Sequence, residues 1–219
     1  MRKNLILSVV ILFVGVTVAT AQENTPYVRD NLIRFGLKTG LNVSGAYNVT
    51  GDEFIAKARP GFVAGVFLNF PIGNRIGIQP EALFSQRGIR ARGKMLGAPY
   101  DFTRTTTYID VPVLLTIKAT DVLSLVAGPQ FSHLIKQKDV FANNTMSAQL
   151  DEFKKDKVRN NTIAVIAGAQ FNINSILIDA RVGWDVRNNT DAAVRTTPRY
   201  NYVWYQFTVG TPLTGRRKR

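Results

Sequence analysis

The segment YIDVPVLLTIKATDVLSLVAGPQFSHLI, residues 108–135, decides how the chain folds. Its first half alternates. Ile109, Val111, Val113, Leu115 and Ile117 fall on one side of an extended strand, and Tyr108, Asp110, Pro112, Thr116 and Lys118 fall on the other. Successive side chains of a strand point to opposite faces, so a period of two makes one apolar wall and one polar wall. A tight link, Ala119-Thr120-Asp121, then leads into a second run of the same character at 122–135.

Outward from this pair, the same composition and period mark eight runs: 33–45, 61–71, 75–87, 105–118, 122–135, 161–173, 175–187 and 201–211. In the first, Phe35, Leu37, Leu41 and Val43 oppose Gly36, Lys38, Gly40 and Asn42. In the third, Ile76, Ile78, Ala82 and Phe84 oppose Gly77, Gln79, Glu81 and Ser85. In the seventh, Ile176, Ile178, Ala180, Val182 and Trp184 oppose Leu177, Asp179, Arg181, Gly183 and Asp185. The second run leaves its register open, because Phe62, Val66 and Leu68 oppose the equally apolar Val63 and Phe67. If the apolar faces meet lipid, every mid-strand charge falls on the other face. That is what a bilayer demands, since a cation facing lipid at mid-membrane costs roughly 2–4 kcal/mol.

The links alternate in length. Residues 46–60, 88–104, 136–160 and 188–200 make long polar connections, whereas 72–74, 119–121 and 174 make tight turns. Outer-membrane barrels have short periplasmic turns and long outer loops. A soluble sandwich has no reason to gather its long loops at one end. The expectation is an all-β chain folded as an eight-stranded antiparallel up-and-down transmembrane β-barrel over 33–213. Pro80, Pro112 and Pro129 sit inside strands. Proline removes a ladder donor and a closed barrel has no edge, so bulges or kinks are expected there.

The start of the chain carries an export pattern: Met1-Arg2-Lys3, an apolar core from Leu5 to Val18, and the small residues Ala19-Thr20-Ala21. Residues 1–21 are therefore expected to be a signal peptide, 22–32 a lead into the barrel, and 214–219 a basic tail. Export and barrel pattern together point to the outer membrane of a Gram-negative cell envelope. The chain has no Cys and one His, which excludes disulfides, thiol nucleophiles, thiolate metal sites and multi-His metal sites. Its net charge of +13 would suit a nucleic-acid binder. An exported chain has no such partner. The local basic density at 87–94, 154–159 and 216–219 suits outer-membrane lipid or other anionic envelope components, or belongs to solvated loops.

Lys38, Glu81, Asp110, Lys118, Asp179, Arg181 and Asp185 fall on the inward faces. They would form either an ion path with a carboxylate pair or a lumen filled by mutually paired charges. Eight strands enclose a space only just wide enough for their own side chains, and an unpaired buried charge is very costly. Both points favour a structural network of Lys38, Glu81, Asp110, Asp179, Arg181 and Asp185, with Glu81 and Asp110 close to Lys38 or Arg181. His133, with Ser132 beside it and Asp139 nearby, invites comparison with acyl-transferring barrel enzymes. Adjacent strand residues point to opposite faces, so His133 does not activate Ser132. No catalytic, cofactor-binding or metal-binding residue is expected. AGAQFN, 167–172, opens no helix and so makes no phosphate loop. Tyr100, Phe102, Tyr108, Trp184, Tyr200, Tyr202, Trp204 and Tyr205 lie near strand ends or in the last strand. They would form girdles at the lipid boundary or express ordinary strand propensity.

Five segments carry a family resemblance: FGLKTGLNVSG (35–45), GFVAGVFLNFPI (61–72), GIQPEALFSQRG (77–88), YIDVPVLLTIKA (108–119) and LVAGPQFSHLI (125–135). In order and spacing they resemble the PorT-type outer-membrane β-barrel family, over about half of the mature chain. The later strands match in pattern only. The resemblance implies an eight-stranded outer-membrane barrel. Some relatives are associated with secretion or gliding machinery, and that role is not carried over. The C-terminus departs from the usual aromatic ending, since Phe207 is followed by further residues ending in Arg216-Arg217-Lys218-Arg219. The functional expectation is a non-enzymatic structural or binding component of the envelope. It would act through its outer loops on an envelope protein partner. The alternatives are a barrel enzyme acting on lipid and a secreted lipocalin-like carrier with its faces reversed.

Overall fold

The computed structural model describes residues 32–50, 55–95, 98–141, 159–173, 175–187 and 199–214. The expected signal peptide, nearly all of the lead and the basic end of the tail lie outside the described residues.

Eight strands follow one another: β1 (Arg34–Thr50), β2 (Ile55–Pro71), β3 (Ile76–Met95), β4 (Ala98–Lys118), β5 (Leu123–Phe141), β6 (Asn161–Ile173), β7 (Ile176–Asp185) and β8 (Arg199–Pro212). Each pairs antiparallel with its chain neighbours, and β8 returns to β1 to close the barrel. The expected up-and-down barrel is the observed fold. The outward positions form an apolar belt that includes Leu37, Leu41, Phe84, Ile109, Val113 and Phe207, all exposed. Strand alternation turns the polar positions inward. The register of β2 is settled as well. Val63 and Phe67 are 0% and 3% exposed inside the barrel, whereas Phe62 is 45% exposed on the belt.

Two expectations need correction. The long links are shorter than the sequence pattern indicates, because the strands run on into them. The stretch 88–104 is mostly paired strand, with β3 and β4 in register as far as Met95↔Ala98. Beyond the membrane neither face has to be apolar, so the alternation fades while backbone pairing continues. β4 has 21 residues and β7 has 10, where about 9–11 suffice to cross a bilayer. The wall therefore stands far taller along β3 to β5 than along β7.

Pro80, Pro112 and Pro129 add no bulges, although the register shift between Ala58 and Val63 spans Pro60. Ladder partners run to Pro80↔Val113 and resume at Leu83↔Asp110 in the same register. They run to Pro112↔Gln130 and resume at Leu115↔Ala127. A missing N–H interrupts pairing without needing an extra residue. The register shifts lie elsewhere, between Tyr47 and Thr50, between Ala58 and Val63, and between Thr107 and Tyr108. At the last of these β5 bulges at Ile135, since Thr107 faces Lys136 and Tyr108 faces Leu134.

Candidate functional site

The interior holds charge in two tiers. The lower tier lies toward the short-turn end, on β1, β3 and β7. Lys38 Nζ donates to Glu81 Oε1 at 2.8 Å and to Asp179 Oδ2 at 2.7 Å. Arg181 donates from Nη1 to Glu81 Oε2 and from Nη2 to Glu81 Oε1, each at 2.9 Å, and from Nη2 to Asp179 Oδ1 at 2.9 Å. Gln79 Nε2 adds a bond to Glu81 at 2.7 Å, and Gln170 and Thr208 add bonds to Asp179. All four charged side chains have zero exposure. Two cations thus face two anions, each carboxylate bridging both cations.

The upper tier is centred on Arg87 of β3. Its Nη2 donates to Asp110 Oδ2 at 2.8 Å and to Ser132 Oγ at 3.3 Å. Its Nη1 lies 3.7 Å from Asp185 Oδ1. Ser85 Oγ also donates to Asp110. The guanidinium stacks over the Trp204 ring at 3.7 Å and near the Tyr108 ring at 4.8 Å. Gly183 makes this possible. It pairs directly with Trp204, and a Cβ there would stand 2.3 Å from Cζ2 of the indole. The ring lies across the bare glycine and reaches the middle of the lumen. Nearer the outer rim, Arg104 Nε and Nη2 each donate to Asp139 at 2.9 Å.

Glu81 lies against both Lys38 and Arg181, but Asp110 does not. Asp110 and Asp185 belong to Arg87, one tier higher. Arg87 is the residue that sequence reasoning missed. It shares the parity of Glu81 and Ser85 and closes the run 75–87, yet as the first residue of the basic stretch 87–94 it reads as part of a solvated loop. The aromatics divide in the same way. Trp184 and Tyr205 face outward, whereas Tyr108, Tyr202 and Trp204 are buried in the barrel and form no girdle. The side chains of Tyr100, Phe102 and Tyr200 lie outside the described residues. Lys118 is partly exposed at the short-turn rim, away from both tiers.

His133, Ser132 and Asp139 point to three different places. His133 is exposed on the outer wall, its Nδ1 2.7 Å from Asn161 Oδ1. Ser132 is buried beside Arg87 and accepts a bond from Gln130. Asp139 is taken by Arg104. Among the described residues, no group of three or more His, Cys, Asp or Glu side chains is placed to hold a metal ion.

With the closed barrel and its apolar belt in view, the family comparison is decisive. Residues 20–191 match the outer membrane protein beta-barrel domain family. The chain belongs to this family. Membership places it in the outer membrane, and the short turns then face the periplasm. Several solved structures are similar. Ail, the attachment invasion locus protein of Yersinia pestis, solved with the heparin analogue sucrose octasulfate, is 15% identical. The match covers 83% of this chain and 99% of that one, with a TM-score of 0.44. The outer membrane protein OprG of Pseudomonas aeruginosa is 11% identical over 82% of this chain and 95% of that one, with a TM-score of 0.48. Neisserial surface protein A is 12% identical over 81% and 96%, with a TM-score of 0.44. No curated protein matches the sequence.

Proposed function

We propose that this barrel is a non-enzymatic structural or binding component of the envelope, of PorT type, that acts through its outer end. The observation that carries this reading is the filled lumen. Paired charges and the Arg87–Trp204 stack occupy the interior, where an ion path or a catalytic carboxylate would have to lie. The reciprocal pairing of Lys38, Glu81, Asp179 and Arg181, with Asp110 and Asp185 gathered around Arg87, supports a structural role for these six residues. The scattering of Ser132, His133 and Asp139 speaks against a lipid-hydrolysing enzyme. The outward apolar face and charged interior are the reverse of a lipocalin-like carrier. Recognition is then assigned to the long-loop end, to the tall β3–β4 extension and to residues 142–158, which join β5 to β6 in sequence. Loops on a rigid scaffold are where binding usually resides.

Two variants in the native host test this reading, scored by the phenotype of deleting the gene. One carries foreign sequence in place of 90–103 and 142–158. The other is His133→Ala. Loss of function in the first with retention in the second is expected. The opposite pattern would replace this reading with the enzymatic one.

A further inference from the structure

Above the apolar belt, the outward wall of β2 to β5 is basic. Lys57 faces Arg90 across β2 and β3, and Arg92 faces Asp101 across β3 and β4. Lys138 faces Thr105, and Lys136 faces Thr107, across β4 and β5. The parity of each side chain fixes its direction. Arg90 and Arg92 are exposed and of opposite parity to buried Ile89, and Lys136 and Lys138 are of opposite parity to Asp139, which meets the buried Arg104. The Ile135 bulge is what turns these two lysines outward. Arg59 lies across the outward side of Gly88, where a Cβ would stand 3.4 Å from its Cδ. From there its Nη1 donates to Thr105 Oγ1 at 3.0 Å. Six cations and the half-buried Thr103 and Thr105 thus share one face.

Among the described residues, one acid answers them. Asp101 accepts from Arg92 at 2.7 Å and from Arg90 at 3.2 Å, so two guanidiniums share one carboxylate. Among the described residues, no acid pairs with Lys57, Arg59, Lys136 or Lys138. Strands lie about 4.8 Å apart, so the face spans about 14 Å from β2 to β5. Its lower margin is continuous with the belt at Phe62, Phe84, Ile109 and Ile135, which are all exposed. A ligand that fits must carry anionic oxygens above and hydrocarbon below. Guanidinium and ammonium groups beside hydroxyls suit phosphate.

We propose that this face holds the phosphate groups of an outer-leaflet glycolipid, whose acyl chains lie on the belt beneath. The proposal rests on the outer-membrane placement and not on the loop-binding reading.

The test uses the full folded protein in phosphatidylcholine nanodiscs doped with an acylated glucosamine disaccharide bearing two phosphates, or with its dephosphorylated form. Lipid retained by the protein after detergent exchange is quantified by native mass spectrometry. The wild type is expected to retain the phosphorylated lipid selectively, and increasingly so as salt is lowered. K136Q/K138Q should weaken retention by on the order of tenfold or more. R75Q/K118Q, which removes charge at the periplasmic end, should leave retention unchanged. Folding of each variant is checked by heat-modifiable gel mobility, and Arg59→Gln gives an independent loss if the double variant does not fold. Equal retention of the dephosphorylated lipid would overturn the proposal, as would indifference to K136Q/K138Q and Arg59→Gln, or an equal loss in R75Q/K118Q. Displacement by millimolar inorganic phosphate would show a soluble-anion site and would also overturn it.

Discussion

Glu81 carries half of the negative charge of the lower tier and accepts from both Lys38 and Arg181. Glu81→Leu leaves two anion-seeking cations with Asp179 alone, in a space with no exposure. Breaking such a buried set costs about 3–5 kcal/mol. The midpoint of urea unfolding in micelles, followed by tryptophan fluorescence, should fall accordingly. Adding Lys38→Met restores one cation to one anion, so the double variant should recover most of the loss. A double variant no better than Glu81→Leu would mean that charge balance is not what the tier supplies. Gly183→Leu makes a different point, since its side chain would occupy the place of the Trp204 indole. The near-ultraviolet dichroism of Trp204 should collapse while far-ultraviolet β signal survives. At this scale the sequence was informative only where parity was clean. Alternation alone turns Lys38, Glu81, Asp179 and Arg181 to one side of their strands. It says nothing of which partner each takes. Asp110 meets Arg87 and not Lys38 or Arg181, because height in a tilted barrel depends on stagger, which no single strand carries. Trp204 was hidden for another reason: an aromatic inside a lumen and one on a girdle have the same strand propensity.

The elements differ in how far their limits can be read. β6 is marked the same way by pattern and by pairing, over 161–173, because both ends of it lie near the membrane. β3, β4 and β5 run on past the point where alternation stops, and their polar ends looked like loops. The bulge at Ile135 is equally silent in the sequence, since an inserted residue in a strand carries no special composition. It is open to direct measurement. The chain has no native Cys, so single cysteines report side-chain direction without interference. Lys138→Cys should react with a bulky, water-soluble maleimide added to intact cells, while Asp139→Cys should react far more slowly. Deleting Ile135 should leave both rates unchanged, because it is the residue without a partner in the ladder, and its loss lets Lys136 follow Leu134 directly with Thr107↔Lys136 and Tyr108↔Leu134 kept. An exchange of the two rates after the deletion would place the register change elsewhere.

At the scale of the molecule, the barrel is a plugged cylinder with one tall side. Trypsin added to intact cells should cut between β5 and β6, where Lys154, Lys155 and Lys157 lie in sequence, and should spare the paired strands. Exposed loop tips are the preferred sites of nicking. Cuts confined to the link between β2 and β3 or between β4 and β5 would invert the orientation. Planar-bilayer recordings should show no steady conductance, and the variant Trp204→Ala/Arg87→Ala should raise it if those two side chains form the obstruction.

The seam between β1 and β8 sets the terms on which this chain can be made. Every other neighbour pair is a hairpin that can form as soon as its two strands exist. The pairing from Gly36↔Pro212 to Tyr47↔Asn201 joins the beginning of the barrel to its end, so its closure entropy is paid last. Until then β1 is an open edge, and unpaired backbone in hydrocarbon costs several kcal/mol for each group. Insertion therefore has no useful halfway stage. A message that terminates before Arg199 encodes no smaller barrel, only a chain that must be degraded or held by a chaperone.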